Sequence, residues 1–190
     1  MKVSEAIEKR WSPRAFDYNK TISKEDLQQI IEAAASAASC FNEQPWRFII
    51  GIQKDETYQS IFESLVQFNQ DWAQTAPVLM VTVASKEFER NGNDNPHARY
   101  DLGQSIGILG LKAMELGVYV HQMAGFDAQV LRNDFEIPDQ YDVVSVIALG
   151  FPGDKSQLNE GLAAQESPER TNRPLSEIAF KNKWGKEIFC

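Results

Sequence analysis

Two short segments of this 190-residue chain carry the side chains best suited to binding chemistry. The first, Arg10-Trp11-Ser12-Pro13-Arg14, places two guanidiniums and a hydroxyl close together. Guanidiniums bind phosphate oxygens through paired hydrogen bonds, so this segment predicts a site for a doubly charged phosphate group. The second, Asn42-Glu43-Gln44-Pro45-Trp46, carries two carboxamides directly before a predicted strand. Carboxamides both donate and accept hydrogen bonds, as recognition of the polar edge of a flat heterocycle requires.

Alternating helices and strands must position these two segments. Ser23-Lys24-Glu25-Asp26 predicts a helix N-terminus with a capping box, because a 3.6-residue apolar stripe follows it. The hydrophobic pattern predicts strands over residues 46–52, 77–84, 118–120 and 143–149, and helices over residues 24–38, 58–66, 98–116 and 128–135. This alternation indicates one α/β or α+β layer domain. From about residue 151 to 190 the chain is expected to be extended and to pack on its own core or on a partner subunit.

Three glycines form a stripe inside the predicted helix over residues 98–116. They are Gly103, Gly107 and Gly110. A glycine in a helix interior costs about 1 kcal/mol relative to alanine. The stripe therefore predicts the close approach of another backbone or of a flat ligand.

Composition and charge favour an ordinary globular protein and disfavour nucleic acids and anionic membranes as partners. The chain has 19 basic and 27 acidic residues, a net charge of −8, whereas nucleic acids and anionic membranes bind basic faces. No apolar run approaches the roughly 20 residues that span a bilayer, and residues 1–10 lack the apolar region of a signal peptide. The expected location is therefore the cytoplasm, with Cys40 and Cys190 reduced.

The cysteines and histidines raise two other hypotheses. A cysteine protease would pair Cys40 with His97 or His121 as its base, but no base or orienting motif surrounds either histidine. A zinc enzyme would need ligands at regular spacing, whereas the two cysteines and two histidines are scattered along the chain. Packing or loop roles are therefore expected for Cys40, His97 and His121, and no metal site is predicted.

In order and spacing, the segments resemble the FMN-dependent nitroreductase family, of the oxygen-insensitive NAD(P)H nitroreductase type. In that family an Arg-x-Ser-x-Arg/Lys segment holds the FMN phosphate, which Arg10, Ser12 and Arg14 match, with Trp11 at the pocket mouth. Residues before the family's Gln-Pro-Trp motif pack over the flavin from the neighbouring subunit. The resemblance gives those places to Ala38, Ser39, Cys40 and Asn42, with Gln44 supporting either Asn69 or the flavin edge.

Three further segments resemble the family. Phe68-Asn69 is similar to a Phe-Asn step whose amide meets the polar edge of the flavin. Gln122 to Asp127 resembles the turn whose backbone amides approach flavin N5, which implies that Ala124 or Gly125 donates there. Arg173-Pro174-Leu175 is similar to a closing motif that returns a basic side chain to the phosphate. Because Thr171 stands where many relatives have lysine, the resemblance leaves Arg170 or Arg173 to supply this charge.

The resemblance implies an α+β, three-layer fold in one domain of residues 1–190, with a mixed, mostly antiparallel sheet flanked by helices. It also implies an interlocked homodimer with tightly bound FMN at the subunit interface. NAD(P)H would reduce flavin N5, and an electron-poor acceptor such as a nitroaromatic or quinone would then take two electrons in a ping-pong cycle. No side chain need act as nucleophile or general base. The loop over residues 87–96, with Phe41 and Trp11, is expected to gate the pocket.

Two other function classes stay open. The same scaffold could act as a flavin reductase, a reductive dehalogenase, or a reductase of an enal or semialdehyde, which turnover with a panel of acceptors would distinguish. It could also be a non-catalytic flavin-binding dimer with a decayed site. The presence of Arg10, Ser12, Arg14 and Asn69 argues against decay.

Overall fold

The fold is a four-stranded sheet between two layers of helices. We describe it from a computed structural model, which describes residues 1–189. The strands are β1 (Trp46–Ile52), β2 (Val78–Ser85), β3 (Tyr119–Met123) and β4 (Tyr141–Gly150), in the order β1-β2-β4-β3. Every neighbouring pair of these strands is antiparallel, so the predicted α+β class with a mostly antiparallel sheet is confirmed.

Seven α-helices accompany the sheet in the described chain. They are α1 (Val3–Lys9), α2 (Lys24–Ala35), α3 (Glu56–Glu63), α4 (Gln67–Ala73), α5 (Ala98–Glu115), α6 (Ala128–Asp134) and α7 (Glu160–Gln165). Short 3-10 turns lie at Cys40–Asn42, Lys155–Gln157 and Leu175–Glu177. The cap predicted for α2 is present, because Ser23 Oγ accepts a hydrogen bond from Asp26 N at 3.0 Å.

The structure corrects two helix boundaries. α2 ends at Ala35 rather than near residue 38. At this end, Ser36 Oγ donates to Ala33 O at 2.7 Å. The predicted helix over residues 58–66 is interrupted after Glu63, because Leu65 forms an antiparallel bridge with Phe126. That bridge is a long-range contact, so the helical pattern of the sequence could not indicate it.

The two faces of the sheet bury two separate hydrophobic cores. Along β2, Leu79 and Val81 contribute to the core with α3, α4 and α6, whereas Val78 and Met80 contribute to the core with α2 and α5. All eight residues of β2 are buried, as expected for a strand covered on both faces. The predicted three-layer arrangement is confirmed.

Helix α5 is the longest helix and packs on α2, where Ser105 Oγ donates to Ala34 O at 2.9 Å. The close approach predicted for its glycine stripe is not found within residues 1–189 of the protomer. A Cβ built on Gly103, Gly107 or Gly110 meets no atom within 4 Å, so no close approach occurs within the described protomer. Contact of this stripe with a second subunit or a flat ligand stays a prediction.

The C-terminal segment keeps several large apolar side chains exposed. Phe180 pairs with Glu187 in a short hairpin, and Trp184 lies 5.0 Å from the Phe180 ring while remaining 92% exposed. Packing of this segment on a partner subunit stays a prediction. Over residues 1–189, no helix has the length and apolar character needed to cross a membrane. Cys190, which the sequence predicts to be reduced, lies outside the described residues.

Gly51 in β1 is required by the close packing of α3. A Cβ at this position would lie 2.4 Å from Tyr58 Cα, which is backbone and cannot rotate away. We expect Gly51→Ala to lower the free energy of unfolding by about 1–3 kcal/mol, measured by urea denaturation. Gly161→Ala in α7 is the control, because its Cβ meets only Asn159 Oδ1 at 3.6 Å. Equal stability of the two variants would contradict this account of the α3–β1 contact.

Candidate functional site

The segment from Arg10 to Arg14 runs from the end of α1 to the edge strand β3. The Trp11 ring lies edge-on to Tyr119 of β3, with 6.4 Å between ring centroids. The carbonyl of Pro13 is 2.9 Å from His121 Nδ1, also on β3. A strand edge and the C-terminal end of a helix thus fix the path of this segment.

Arg10 and Arg170 lie close together without a counter-ion. Both line a groove of about 410 Å³ beside Gln104 and Gly107 of α5. Partial burial and then the charge of Arg170 lower the pKa of the Arg10 guanidinium from its usual value. Within residues 1–189, neither guanidinium forms an ion pair with a carboxylate. Two neighbouring positive charges without a partner favour binding of an anion.

Arg14 carries an unused buried donor. Its Nε is buried and has no hydrogen-bond partner in the described chain, and its guanidinium carbon lies 5.8 Å from the centroid of the Phe68 ring. A buried guanidinium N–H without an acceptor is costly unless a ligand supplies one. Ser12 is exposed between the two arginines. The donor set of this segment therefore fits a phosphate group.

Asn69 and Gly125 form one contact beside Arg14. The Asn69 side chain is 8% exposed and its Nδ2 donates to Gly125 O at 2.9 Å, while Val66 N donates to the same carbonyl at 3.1 Å. A Cβ on Gly125 would lie 2.7 Å from Val66 Cγ2, so a side chain here would separate these segments. Ala124 is exposed next to this contact. The sequence placed Asn69, Ala124 and Gly125 in one site, and the structure brings them together.

The second segment adopts a strained backbone. Phe41, Asn42 and Gln44 have φ angles of 54°, 59° and 48°, in the left-handed region that side chains usually avoid. Hydrogen bonds hold this conformation: Gln44 N donates to Ser39 Oγ at 2.9 Å, and Gln44 Nε2 donates to Asn42 O at 3.2 Å. Strain of this kind persists where the surroundings over-determine it, which is typical of functional loops.

A buried carboxylate also holds this segment. Cys40 N donates to Asp101 Oδ2 at 2.9 Å, and Asp101 on α5 is only 2% exposed. Ala38 is exposed just before this contact. Cys40 is a free thiol in the described chain and lines a cavity of about 350 Å³ together with His97. No Cys40–His97 hydrogen bond is found there, so this pair lacks the contact that a cysteine protease would use.

The loop over residues 87–96 packs on the strained segment. The Arg90 guanidinium carbon lies 3.9 Å from the centroid of the Phe41 ring, and Phe88 contacts the same ring edge-on at 6.0 Å. Phe41 is nevertheless 69% exposed. The loop therefore contacts the strained segment, as a loop that gates the pocket would have to. Gating of the pocket by this loop stays a prediction.

The two segments lie at opposite edges of the sheet within one protomer. Residues 38–44 precede β1, whereas the Arg10–Arg14 segment lies beside β3, the other edge strand. Three inter-strand spacings lie between the edge strands β1 and β3, which are therefore about 14 Å apart. One protomer therefore does not bring the two segments into a single pocket. The prediction that residues 38–44 act on the flavin of a neighbouring subunit is compatible with this distance and stays a prediction.

The structure distinguishes the two C-terminal arginines. Arg170 Nη2 donates to Ile7 O at 2.8 Å and to Glu8 O at 3.3 Å, which ties it to the end of α1 beside Arg10. Arg173 is exposed and forms an ion pair with Glu177 at 3.2 Å. Within the protomer, Arg170 is the one that neighbours the phosphate-type donors. The role predicted for Arg173 stays a prediction.

Asp101 and Glu166 were not assigned a role from the sequence, and His121 was expected to have only a packing or loop role. Asp101 had a recognisable signal, because a carboxylate stands on the apolar stripe of α5 with Leu102 and Ser105. The other two had none, since His121 and Glu166 bind the Arg10–Arg14 segment across 108 to 152 positions of sequence. Residues 1–189 hold no cluster of three or more side chains suited to a metal ion.

His121 is buried against Trp72, with 4.4 Å between the ring centroids. Because a carbonyl can only accept, the contact with Pro13 O places the proton on Nδ1. Burial, and to a smaller extent the Arg14 charge, lowers the pKa of His121 below 6.5, although hydrogen bonds to the Pro13 and Ser12 backbone oppose this shift. The imidazole is therefore neutral near pH 7 and acts as a packing and hydrogen-bonding group.

An antiparallel sheet between two helical layers, with unpaired guanidiniums beside an edge strand, defines an α+β protein built to bind an anionic ligand. The Nitroreductase family model matches residues 7–67 and 50–151 of the chain. The chain therefore belongs to the nitroreductase family.

Individual relatives agree with this assignment. A crystal structure of an oxidoreductase containing FMN is 32% identical and superposes with a TM-score of 0.90, covering 98% of this chain and 95% of that one. A 15.4 kDa protein of the ask 5′ region in Mycolicibacterium smegmatis is 31% identical over 153 residues, 75% of this chain and 99% of that protein. The major NAD(P)H-flavin oxidoreductase of Aliivibrio fischeri is 31% identical over 91 residues, 46% of this chain and 41% of that protein.

The lowered pKa of His121 predicts a loss of stability on acidification. Below about pH 6.5 the unfolded chain binds more protons at this histidine than the folded protein, so the free energy of unfolding falls as the pH drops. We expect His121→Gln to flatten the decline between about pH 7 and pH 5.5, measured by urea denaturation. His97→Gln, at an exposed position, should keep the wild-type slope. An unchanged slope in His121→Gln would refute this role.

Proposed function

We propose that the protein is an FMN-dependent oxidoreductase that uses NAD(P)H as its electron donor. The observation that carries the proposal is the set of uncompensated guanidiniums at Arg10, Arg14 and Arg170 beside the β3 edge. Such a set fits a dianionic phosphate monoester, the terminal group of FMN. Membership of the nitroreductase family and the likeness to an oxidoreductase containing FMN support the same cofactor.

The residues on the β3 side would hold the cofactor at both ends. Arg10, Ser12 and Arg14 would bind the phosphate, and Arg14 Nε would gain the acceptor that it lacks. Asn69 lies beside Arg14 and Gly125, where a carboxamide can meet the polar edge of a flavin ring. The backbone N–H groups of Ala124 and Gly125 find no acceptor among residues 1–189, so they are available as donors to a ring nitrogen.

FMN, when bound, supplies the redox chemistry by accepting a hydride from NAD(P)H and passing two electrons to an acceptor. The chain's own contribution is binding, orientation and charge. Asn69 places a hydrogen-bond donor near the ring, where it would stabilise negative charge that develops on reduction. No side chain is required as a nucleophile or general base.

We further propose that the functional unit is a homodimer with the cofactor at the subunit interface. Residues 38–44 would reach the flavin from the second subunit, since they adjoin β1, at the opposite edge of the sheet from β3 in their own protomer. Gly103 and Gly107, the exposed part of the α5 glycine stripe, and the exposed apolar side chains of the C-terminal segment support an additional contact surface. Ala38, Ser39, Cys40, Asn42 and Gln44 would then complete the pocket.

The acceptor is proposed to be a small electron-poor molecule such as a nitroaromatic or a quinone. The alternative on the same scaffold is free-flavin reduction, which the similarity to the Aliivibrio fischeri NAD(P)H-flavin oxidoreductase supports over the aligned 91 residues. Steady-state turnover with nitroaromatic, quinone and free-flavin acceptors at equal concentrations would separate these activities.

The proposed cofactor can be tested directly by the visible spectrum of the purified protein. We expect a yellow protein with a flavin spectrum that bleaches on anaerobic addition of NADH or NADPH, because the donor reduces bound FMN. Stopped-flow absorbance with each donor would identify the preferred one. A colourless protein that also fails to bind added FMN would contradict the proposed function.

The assignment of Arg10 predicts a weaker hold on FMN when its charge is removed. We expect Arg10→Ala to raise the FMN dissociation constant by about 10-fold or more, because a hydrogen bond to a charged group contributes about 1.5–3 kcal/mol. Fluorescence titration of the apoprotein measures this constant. Arg99→Ala removes an exposed guanidinium that pairs with Asp142 and should leave FMN binding unchanged. Equal flavin content in Arg10→Ala and the wild type would exclude the assigned role.

A further inference from the structure

The Glu166 carboxylate binds the backbone of the Arg10–Arg14 segment. Its Oε1 accepts from Arg14 N at 2.9 Å and from Ala15 N at 2.9 Å, and its Oε2 accepts from Arg14 N at 3.1 Å. Glu166 follows the last residue of α7 and is half-buried. It lies beyond residue 151, where the match to the family model ends.

Neighbouring residues of the same C-terminal region bind the next backbone groups along the segment. Gly153 N donates to Ala15 O at 2.8 Å, and Gln157 Nε2 donates to Phe16 O at 2.8 Å. Asp17 N donates to Phe151 O at 2.9 Å. The backbone from residue 14 to 17 is therefore held mainly by residues 151–166, and Phe16 N also donates to Thr75 Oγ1 at 3.4 Å. Its conformation depends on that region rather than on local structure.

The contact has a consequence for the Arg14 side chain. Both Glu166 oxygens face backbone N–H groups, so the carboxylate does not form an ion pair with the Arg14 guanidinium. The backbone of Arg14 is thus fixed by a negative charge while its Nε is left without a partner. Pre-organised donors bind an anion more tightly, because the entropy of ordering them has already been lost.

We propose that Glu166 is a positioning residue for the cofactor phosphate, which couples residues 151–166 to cofactor retention through the Arg14 backbone. This inference rests on the proposed FMN site. Without the carboxylate, the N–H groups of Arg14 and Ala15 lose their acceptors and the segment is free to rotate away from the phosphate. The flavin ring is held elsewhere, by residues near Asn69 and Gly125, so its binding does not depend on Glu166.

Comparing FMN with riboflavin separates this role from general structural damage, because riboflavin lacks only the phosphate. We expect Glu166→Ala to raise the FMN dissociation constant by about tenfold and the riboflavin constant by less than about twofold, measured by flavin fluorescence quenching with the full-length apoprotein. Glu166→Gln keeps one oxygen acceptor and should give an intermediate loss. Glu169→Ala, three positions away at an exposed site, is the matched control and should bind both flavins as the wild type does.

Each outcome of this experiment either supports or overturns the positioning role of Glu166. Equal weakening of FMN and riboflavin in Glu166→Ala, or no change in either, would overturn the positioning role. Where Glu166→Ala does not fold, the same comparison with Glu166→Gln decides the question. Wild-type protein that binds neither flavin would overturn the proposed function, and that result is distinguishable because it does not require a variant. Addition of Arg14→Ala to Glu166→Ala should then cause little further loss of FMN binding, since both changes act on one contact.

Discussion

Positive charge without a local counter-ion is the constraint on which the site depends. Arg10 and Arg170 lie together at the end of α1, and Arg14 keeps a buried Nε without a partner. In a chain with a net charge of −8, carboxylates are abundant, yet none within residues 1–189 forms an ion pair with these guanidiniums. The Glu166 carboxylate, which contacts this segment, binds its backbone instead. The guanidiniums therefore stay available to a phosphate, and the rest of the site follows from where they are held.

The sheet determines what one protomer can and cannot assemble. Because β2 and β4 lie between β1 and β3, the strained segment that precedes β1 is separated from the β3 edge by the width of the sheet. The β3 side gathers the phosphate donors with Asn69 and Gly125, and the β1 side gathers residues 38–44 with the loop over residues 87–96. Each edge carries half of the predicted pocket. A second subunit is the simplest means to unite them, and it would also contact the exposed Gly103 and Gly107 of α5.

Buried polar contacts maintain both halves. Asp101 is almost fully buried on α5 and accepts from Cys40 N, which ties a loop with three left-handed residues to the long helix. On the other side, neutral His121 packs on Trp72 and contacts Pro13 O, while Glu166 accepts from the next two backbone N–H groups. Buried polar groups of this kind are costly when unpaired, so each contact strongly favours one conformation of its segment. The loops gain the rigidity that binding requires from partners distant in sequence.

The sequence alone determined the local features of this protein. The pattern over residues 46–52 matches β1 at both ends, the cap at Ser23 is present, and α5 ends one residue from its predicted limit. The family was likewise readable from the order and spacing of motifs such as Arg10, Ser12 and Arg14, and the resemblance to it implied the three-layer class. Tertiary structure decided the break at Leu65, the burial of Asp101, and the contacts of Arg14 with Glu166. These depend on residues up to 152 positions apart, whose encounter is set by how the sheet and its two helical layers pack, not by local preference.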